Sequence, residues 1–506
     1  MRSALEKKLL PKLRSLEAIL QPINRLPKDI FTLIPRFFTR EDWDCDPFPM
    51  NPPLITMTHV CRSWRTVLLS TPGLWTQIDF SVSESKQAKC FMGRCEGEFL
   101  DVYQAITSAD DEEPFLSTTL HNMHRLRRLE ISSLHQDLER VLTRFTRSAP
   151  ELKHLEIGND SGTTFRDMKF HDTIFEGQLP KLHTLSLHSL HTDLRGFTFP
   201  SLKRFNFSTG TETSVRDLTS FFELCPLLEF IQIRLYYMPH LPMPPPKNRI
   251  RLPELKELRL DQTASTCGLL DHLILPKCAE MMLQGQFTGE KIDNYGHPAA
   301  QIHPSSIDHI PATRGITKAV AMPNSCILSG PGGNLRFRCL LENRASFNAK
   351  FFTSFSPIST SEIRELWVGA HAEFGSDIWG QTAARVRGAF GVLPKVEDLT
   401  IVNCETGPFF TALGGTTNGP ILLPELRGLT IYARCGDLDV SGLIRCAEAR
   451  LERSRSLGEV TIILDTKPEA NMMREMEPIG RLVSRINIGV GAAPELRWEK
   501  QYSEVW

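Results

Sequence analysis

Apolar residues recur in one short pattern along much of the chain. A proline is followed by apolar residues two, five and seven positions later, as in Pro150 to Ile157 (PELKHLEI). Because side chains alternate between the two faces of a strand, the last two apolar residues point to the same side. Proline has no amide hydrogen and favours the loop before a strand over its middle. The pattern therefore predicts a short strand with one buried face after each proline.

Copies of this pattern lie 20 to 30 residues apart between Pro150 and Pro276. They begin at Pro150, Pro180, Pro200, Pro226, Pro253, Pro276, Pro394 and Pro424, and copies without the proline begin at Leu126 and Ile363. Segments with helical spacing, such as Leu138 to Phe145, separate several copies. Strands and helices that alternate at this period are typical of leucine-rich repeats. We therefore predict an irregular α/β solenoid, and the alternative is a single mixed α/β domain in which the matches arise by chance.

Residues 284–360 fit the repeat pattern poorly. The segment Ser329 to Asn334 (SGPGGN) lacks the Gly-Lys-Ser/Thr ending of a phosphate-binding loop, so its glycines predict a tight turn. The alternating segment Leu335 to Leu340 (LRFRCL) predicts another strand. This region is interpreted as an irregular insertion or as divergent repeats.

A different pattern occupies residues 22–80. Pro27 suits the first position of a helix and Asp29 complements the helix dipole, while apolar residues from Ile30 to Phe38 predict one broad apolar stripe. A polar, proline-rich segment over residues 39–53 follows, and a second helix is predicted around Val60 to Leu68 (VCRSWRTVL). Residues 71–78 (TPGLWTQI) close the module.

Three motifs of this module resemble those of an F-box. They are Leu26-Pro27, Val60-Cys61-Arg62-x-Trp64-Arg65 and Pro72-x-Leu74-Trp75, and the resemblance covers residues 22–80. Together with the repeats, the chain resembles the F-box/leucine-rich-repeat proteins abundant in fungi. The segment inserted between the first two helices departs from the family pattern.

The resemblance implies a fold, a function and partners. The fold is an N-terminal three-helix F-box followed by an irregular leucine-rich-repeat array. The F-box would dock on a Skp-type adaptor and through it on a cullin, so that the protein serves as substrate receptor of an SCF-type ubiquitin ligase. The residues implied to contact the adaptor are Leu26, Pro27, Ile30, Val60 and Trp64. The competing interpretation is that these side chains belong to the core of the module.

The predicted organisation has six segments. They are an N-terminal helix (1–21), the F-box (22–80), a linker and cap (81–123), leucine-rich repeats (124–283), an irregular insertion or divergent repeats (284–360), and leucine-rich repeats with a C-terminal cap (361–506). The first segment has leucines at helical spacing from Leu5 to Leu20, interrupted by Pro11. It is interpreted as a capping helix, with a coiled-coil seam as the alternative.

Outward-facing strand positions of the predicted repeats would line a concave binding surface. The substrate-binding candidates among them are Arg204, Phe230, Arg234, Arg259, Trp367 and Tyr432, with the three aromatic residues as exposed anchors. The chain has 58 basic and 59 acidic residues and a formal net charge of −1. This balance argues against nucleic acid or an anionic membrane as partner, because both require a basic excess. A protein substrate of unknown identity is predicted instead.

Several other functions find no support in the sequence. Its 12 cysteines contain no Cys-x-x-Cys pair, and the histidines at 183, 188 and 191 are interpreted as surface residues, so no metal or other cofactor is predicted. No Gly-x-Ser-x-Gly, His-Glu-x-x-His or P-loop motif is present, and we predict no catalytic residues and no enzymatic activity. The absence of a signal-like N-terminus and of a long apolar stretch predicts the cytoplasm or nucleus. The alternative function is a leucine-rich-repeat scaffold that binds proteins outside any ligase.

Overall fold

The computed structural model describes residues 23, 26–40, 52–81, 85–106, 109–133, 138–159, 174–177, 179–190, 199–209, 214–235, 249–261, 269–287, 309–322, 325–341, 360–369, 383–415 and 420–494. The predicted N-terminal helix over residues 1–21 and most of the inserted segment over residues 39–53 lie outside this part of the chain. The described residues form two compact units, the first reaching Leu202 and the second beginning at Lys203. The six predicted segment boundaries remain predictions.

The first unit begins with helices and continues as alternating strands and helices. Its elements are α1 (Lys28–Arg40), α2 (Pro52–Thr58), α3 (Arg62–Leu69), β1 (Gln77–Asp79), α4 (Ser85–Arg94), β2 (Leu100–Ile106), α5 (Ala109–His121), β3 (Leu126–Ser133), α6 (Leu138–Leu142), β4 (His154–Asn159) and β5 (Thr184–His188). Short 3-10 helices cover Pro72–Leu74, Met123–Arg125 and Ile174–Gly177. The strands β1 to β5 pair in chain order, and every pair is parallel.

The second unit contains the remaining strands. Its first part comprises β6 (Arg204–Thr209), α7 (Val215–Glu223), β7 (Phe230–Leu235), β8 (Ile250–Arg251), β9 (Glu257–Asp261), β10 (Leu273–Ile274), β11 (Glu280–Phe287), β12 (Lys318–Met322), β13 (Ser325–Gly330) and β14 (Gly333–Leu341). Its second part comprises β15 (Glu365–Gly369), α8 (Ala383–Phe390), β16 (Asp398–Val402), α9 (Gly407–Leu413), β17 (Gly428–Ala433), α10 (Val440–Glu452), β18 (Glu459–Leu464), α11 (Ala470–Met476), α12 (Ile479–Leu482) and β19 (Arg485–Val490). Short 3-10 helices cover Pro311–Thr313 and Cys435–Asp437.

Most strands of the second unit also run parallel. The sheet order is β6-β7-β9-β11-β14-β13-β12-β15-β16-β17-β18-β19. Only β13 is antiparallel to its two neighbours among these described strands, so the sheet is mixed. The short strands β8 and β10 form a separate parallel pair.

The predicted fold class is wrong. In place of a three-helix F-box followed by a leucine-rich-repeat solenoid, the structure is of the α/β class, with a large, mostly parallel mixed sheet of 17 described strands. The physical reason is that the repeated pattern defines a strand with one buried face, and any parallel sheet covered by helices meets that requirement. The pattern therefore predicts the individual strands but not how these strands assemble into a fold.

The strands themselves lie where the pattern predicts them, so this local prediction is confirmed. The last two apolar residues of each copy are buried in β3, β4, β5, β6, β7, β9, β11, β15, β16 and β17. The amides of Leu152, Leu182 and Leu202 donate hydrogen bonds of 3.1–3.2 Å to the carbonyl three residues earlier. Each repeated proline in these copies therefore occupies the second position of a β-turn, where its fixed backbone angle is favourable.

The turn predicted around residues 329–334 is the hairpin between β13 and β14. Gly330 pairs with Gly333 at its tip, and Gly333 has a φ of 127°. A Cβ atom on Gly332 or Gly333 would lie 2.0 or 1.9 Å from the carbonyl oxygen of Pro311 or Ala279, respectively. Only glycine permits this close approach of backbones. The predictions of a turn here and of a strand over 335–340 are confirmed.

Candidate functional site

The helices α1 to α3 build a small core of their own. Phe31, Leu54 and Leu68 are buried between them, and the ring of Trp64 packs edge-on against Phe31 with 4.8 Å between ring centres. Trp75 follows this core, and its indole Nε1 donates a 2.9 Å hydrogen bond to the carbonyl of Leu68. The helices are thus tied to the start of the sheet by a fully buried aromatic side chain.

Several apolar side chains of these helices face outward. Leu26, Ile30, Leu33 and Val60 are 38%, 48%, 43% and 59% exposed. Ile30 and Leu33 are three residues apart on α1 and so lie on one side of this helix, and Leu26 lies two residues before the helix begins. We call these four residues the exposed apolar set. Leu33 is not among the residues predicted from the sequence, because the resembling motif does not include it.

The five adaptor candidates therefore differ in their environment. Leu26, Pro27, Ile30 and Val60 are exposed, and Val60 lies between α2 and α3. Trp64 is half-buried, because one edge contacts Phe31. The sulfur of Cys61 accepts a hydrogen bond from the amide of Trp64 and so caps α3. Contacts within the module therefore bury only part of the Trp64 side chain.

The structure brings four of the six substrate candidates together. Arg204 on β6, Phe230 on β7 and Arg259 on β9 occupy three consecutive strands, and Arg234 follows Phe230 on β7. We call these four residues the arginine face. Trp367 on β15 and Tyr432 on β17 lie in the same unit but on strands separated by β16.

Phe230 is not the exposed anchor that the pattern predicts. Its side chain is only 4% exposed, because the guanidinium groups of Arg204 and Arg259 lie 4.3 and 4.9 Å from the centre of its ring. Long basic side chains can cover an aromatic ring in this way while their charged ends stay near water. This prediction is corrected because the covering residues come from neighbouring strands, which the pattern of one strand cannot show.

Two arginines of the arginine face are neutralised by carboxylates. Arg259 Nε donates a 2.6 Å hydrogen bond to Glu257, and both Arg234 Nε and Nη2 lie 3.2 Å from Asp261 Oδ2. Asp261 is buried, and burial raises the pKa of its carboxyl group against the opposing effect of Arg234. Arg204 is exposed and makes no hydrogen bond or ion pair through its side chain within the described ranges.

The two remaining aromatic candidates are half-buried. Trp367 Nε1 donates a 2.5 Å hydrogen bond to Glu365, which also binds Lys318 Nζ at 2.8 Å. The Lys318 ammonium lies 5.0 Å from the centre of the Trp367 ring. Tyr432 is half-buried on β17. The cation over the Trp367 ring is thus paired with a carboxylate, whereas Arg204 over the Phe230 ring is not.

A further cluster of titratable groups lies on the first unit's sheet. Glu130 on β3 pairs in register with Glu156 on β4, and Arg128 pairs with His154. Burial, together with the charge of Glu156, raises the pKa of Glu130 to about 7. Burial, reinforced by Arg128, lowers the pKa of His154 to about 4. The outward positions of these copies were the signal for this cluster, but sequence alone could not show the burial.

Of the three histidines at positions 183, 188 and 191, the structure describes the first two. His188 Nε2 lies 3.6 Å from Glu156 Oε1, and position 191 is outside the described residues. Within the described ranges, no three histidine, cysteine or acidic side chains are arranged to hold a metal ion. No helix in this part of the chain is both long and apolar enough to cross a membrane.

Comparison with known proteins adds no family assignment. No protein-family model matches the chain, and no curated protein matches it at a significant level. The resemblance to F-box proteins therefore remains a prediction that rests on the three motifs between Leu26 and Trp75.

Proposed function

We propose that this protein is the substrate-recognition subunit of an SCF-type ubiquitin ligase. In this proposal α1 to α3 dock on a Skp-type adaptor, which connects the protein to a cullin. The outward face of the sheet holds a protein substrate. The protein would itself perform no chemistry, because holding a target lysine near the conjugating enzyme raises its effective concentration. This role implies work in the cytoplasm or the nucleus.

The exposed apolar set is the observation that supports the proposal. Leu26, Ile30, Leu33 and Val60 stay exposed although Phe31, Leu54 and Leu68 form a core directly beside them. A group of exposed apolar side chains is a frequent mark of a protein-binding site. Three members, Leu26, Ile30 and Val60, are also among the residues predicted to contact the adaptor.

Their exposure sets the size of the expected effect. Complete burial of a leucine or isoleucine side chain contributes about 1.5–3 kcal/mol. Because Leu26 and Ile30 are 38% and 48% exposed, docking can bury only that fraction. The two side chains together then contribute about 1.3–2.6 kcal/mol, which is roughly one to two orders of magnitude in affinity.

The test measures adaptor binding by the full-length chain. Isothermal titration of a purified Skp-type adaptor should give a dissociation constant that the double variant Leu26→Ala/Ile30→Ala raises by about tenfold to eightyfold. Leu227→Ala is the matched control, because Leu227 is 45% exposed but belongs to the second unit, and it should leave binding unchanged. Wild-type affinity in the double variant would refute this docking surface.

The alternative is a protein-binding scaffold without a ligase role. Co-purification of the wild-type chain with the adaptor and a cullin separates the two functions. If the folded chain binds no adaptor, the ligase role fails and the scaffold is favoured.

A further inference from the structure

The arginine face carries an imbalance of charge. It presents three cations, Arg204, Arg234 and Arg259, whereas two carboxylates, Glu257 and Asp261, pair with the last two. Three positive charges minus two negative charges leave one positive charge, and the pairing assigns it to Arg204. An uncompensated cation on an otherwise paired surface is complementary to an anionic group of a partner.

Arg204 is also held in position before any partner arrives. Its guanidinium lies 4.3 Å from the centre of the Phe230 ring, and that ring is fixed by burial and by Arg259 from the other neighbouring strand. Contact with an aromatic ring restricts the long side chain without using a carboxylate partner. A guanidinium has five N–H donors in a planar arrangement that suits the two oxygens of a carboxylate.

We infer that the arginine face binds an acidic segment of a protein partner, with an aspartate or glutamate carboxylate paired to Arg204. This inference names the class of substrate segment and rests on the proposed role as a substrate receptor. A carboxylate is favoured over a phosphate because one negative charge balances the single free cation. A phosphate carries about −1.5 to −2 at neutral pH and would leave the face with an excess of negative charge.

The neighbouring aromatic site provides an internal comparison. Lys318 also lies over an aromatic ring, that of Trp367, but Glu365 neutralises it at 2.8 Å. A stacked cation that already has its carboxylate gives no reason to bind a second one. Lys318 is therefore the matched control for Arg204.

The experiment uses the full-length chain and an immobilised library of 12-residue peptides. All peptides have randomised flanks, and one central position holds glutamate, glutamine, phosphoserine or lysine. Wild type should retain glutamate-centred peptides about tenfold better than glutamine-centred ones, as one charge-assisted hydrogen-bonded pair predicts. Arg204→Gln should abolish this preference and Lys318→Gln should preserve it. Arg204→Lys, which keeps the charge but not the planar donors, should retain only part of it.

Three outcomes would overturn the inference. They are equal retention of glutamate- and glutamine-centred peptides by wild type, an unchanged preference in Arg204→Gln, and a stronger preference for phosphoserine than for glutamate. Thermal melting of each variant controls for folding, and Arg204→Lys keeps the test decisive if Arg204→Gln does not fold. Adaptor titration is a separate measurement on the same proteins. A folded chain that selects acidic peptides but binds no adaptor refutes the ligase role alone, whereas the reverse result refutes the acidic-segment inference alone.

Discussion

Replacing Arg450 with methionine is expected to destabilise the region around β17 and β18. Arg450 on α10 is fully buried, and its charge is held by main-chain oxygens. Its Nη1 and Nη2 atoms donate 2.9 Å hydrogen bonds to the carbonyls of Leu422 and Leu423, and its Nε donates a 3.2 Å bond to that of Arg455. Burial lowers the pKa of the guanidinium, because removing its charge from water is unfavourable. The three hydrogen bonds offset this desolvation energy.

The magnitude follows from these opposing terms. Three hydrogen bonds from a charged donor contribute about 1.5–3 kcal/mol each, or about 4.5–9 kcal/mol before the cost of burying the charge. That cost is on the order of several kcal/mol. Methionine restores apolar contact but leaves three carbonyls without a donor. We therefore expect Arg450→Met to lower the local unfolding free energy by about 2–5 kcal/mol.

Hydrogen exchange followed by mass spectrometry measures this effect locally. Peptides from β17, α10 and β18 should exchange about 30-fold to 5000-fold faster in Arg450→Met, while peptides from β6 and β7 change little. Arg445→Met is the control, because the Arg445 side chain on the same helix is 67% exposed, and it should change exchange by less than about threefold. Unchanged exchange around β17 and β18 in Arg450→Met would refute the reasoning.

Two other substitutions test the cluster on β3 and β4 and the β13–β14 hairpin. Glu130 holds its proton up to about pH 7 in the folded chain against an ordinary pKa of 4.5, so its contribution to the free energy of unfolding should fall as pH rises between these values. Between pH 5 and pH 8, urea titrations should show wild type losing about 2–3 kcal/mol of unfolding free energy relative to Glu130→Gln, and an equal pH dependence in both proteins would contradict this. His154, with its pKa lowered from 6.5 to about 4, acts oppositely: its contribution is lost as pH falls from 6.5 toward 4. Gly333→Ala should destabilise the chain by at least about 1–3 kcal/mol, because its Cβ atom would collide with the carbonyl of Ala279. Thermal melting should show this loss but little change for Gly436→Ala, whose added Cβ atom meets no atom within 4 Å.

The exposed apolar set illustrates how far sequence reasoning reached at the candidate site. Leu26 and Ile30 were identified by resemblance to a motif, and the structure leaves both side chains exposed. Leu33 was missed because a continuous apolar stripe does not reveal which of its sides faces the core. That distinction depends on where α2 and α3 pack, and such packing is not encoded in the spacing along α1 alone.

Several charged residues form ion pairs with one another in the structure, which the amino-acid composition alone could not show. Glu229 before β7 binds Lys203 at 2.9 Å and Lys256 at 2.5 Å, and Glu151 binds Lys181 at 2.6 Å. Glu151 and Lys181 lie three residues before β4 and β5, and Lys203, Glu229 and Lys256 lie one residue before β6, β7 and β9, so each ion pair joins corresponding positions of neighbouring strands. Each exposed ion pair contributes only about 0–1 kcal/mol to stability, but it leaves neither of its two charges free to pair with another group. Arg204 is notable because it has no such partner among the described residues.

The sequence by itself determined the positions of the strands and the turns before them. A strand with one buried face needs apolar residues two apart, and a β-turn favours proline at its second position, so both signals are local. Tertiary structure alone decided that the strands join in a large mixed sheet with an inserted antiparallel β13, and that Phe230 lies beneath Arg204 and Arg259. These features depend on which strands become neighbours. That choice is set by contacts between residues far apart in the chain, which no repeat within one strand can specify.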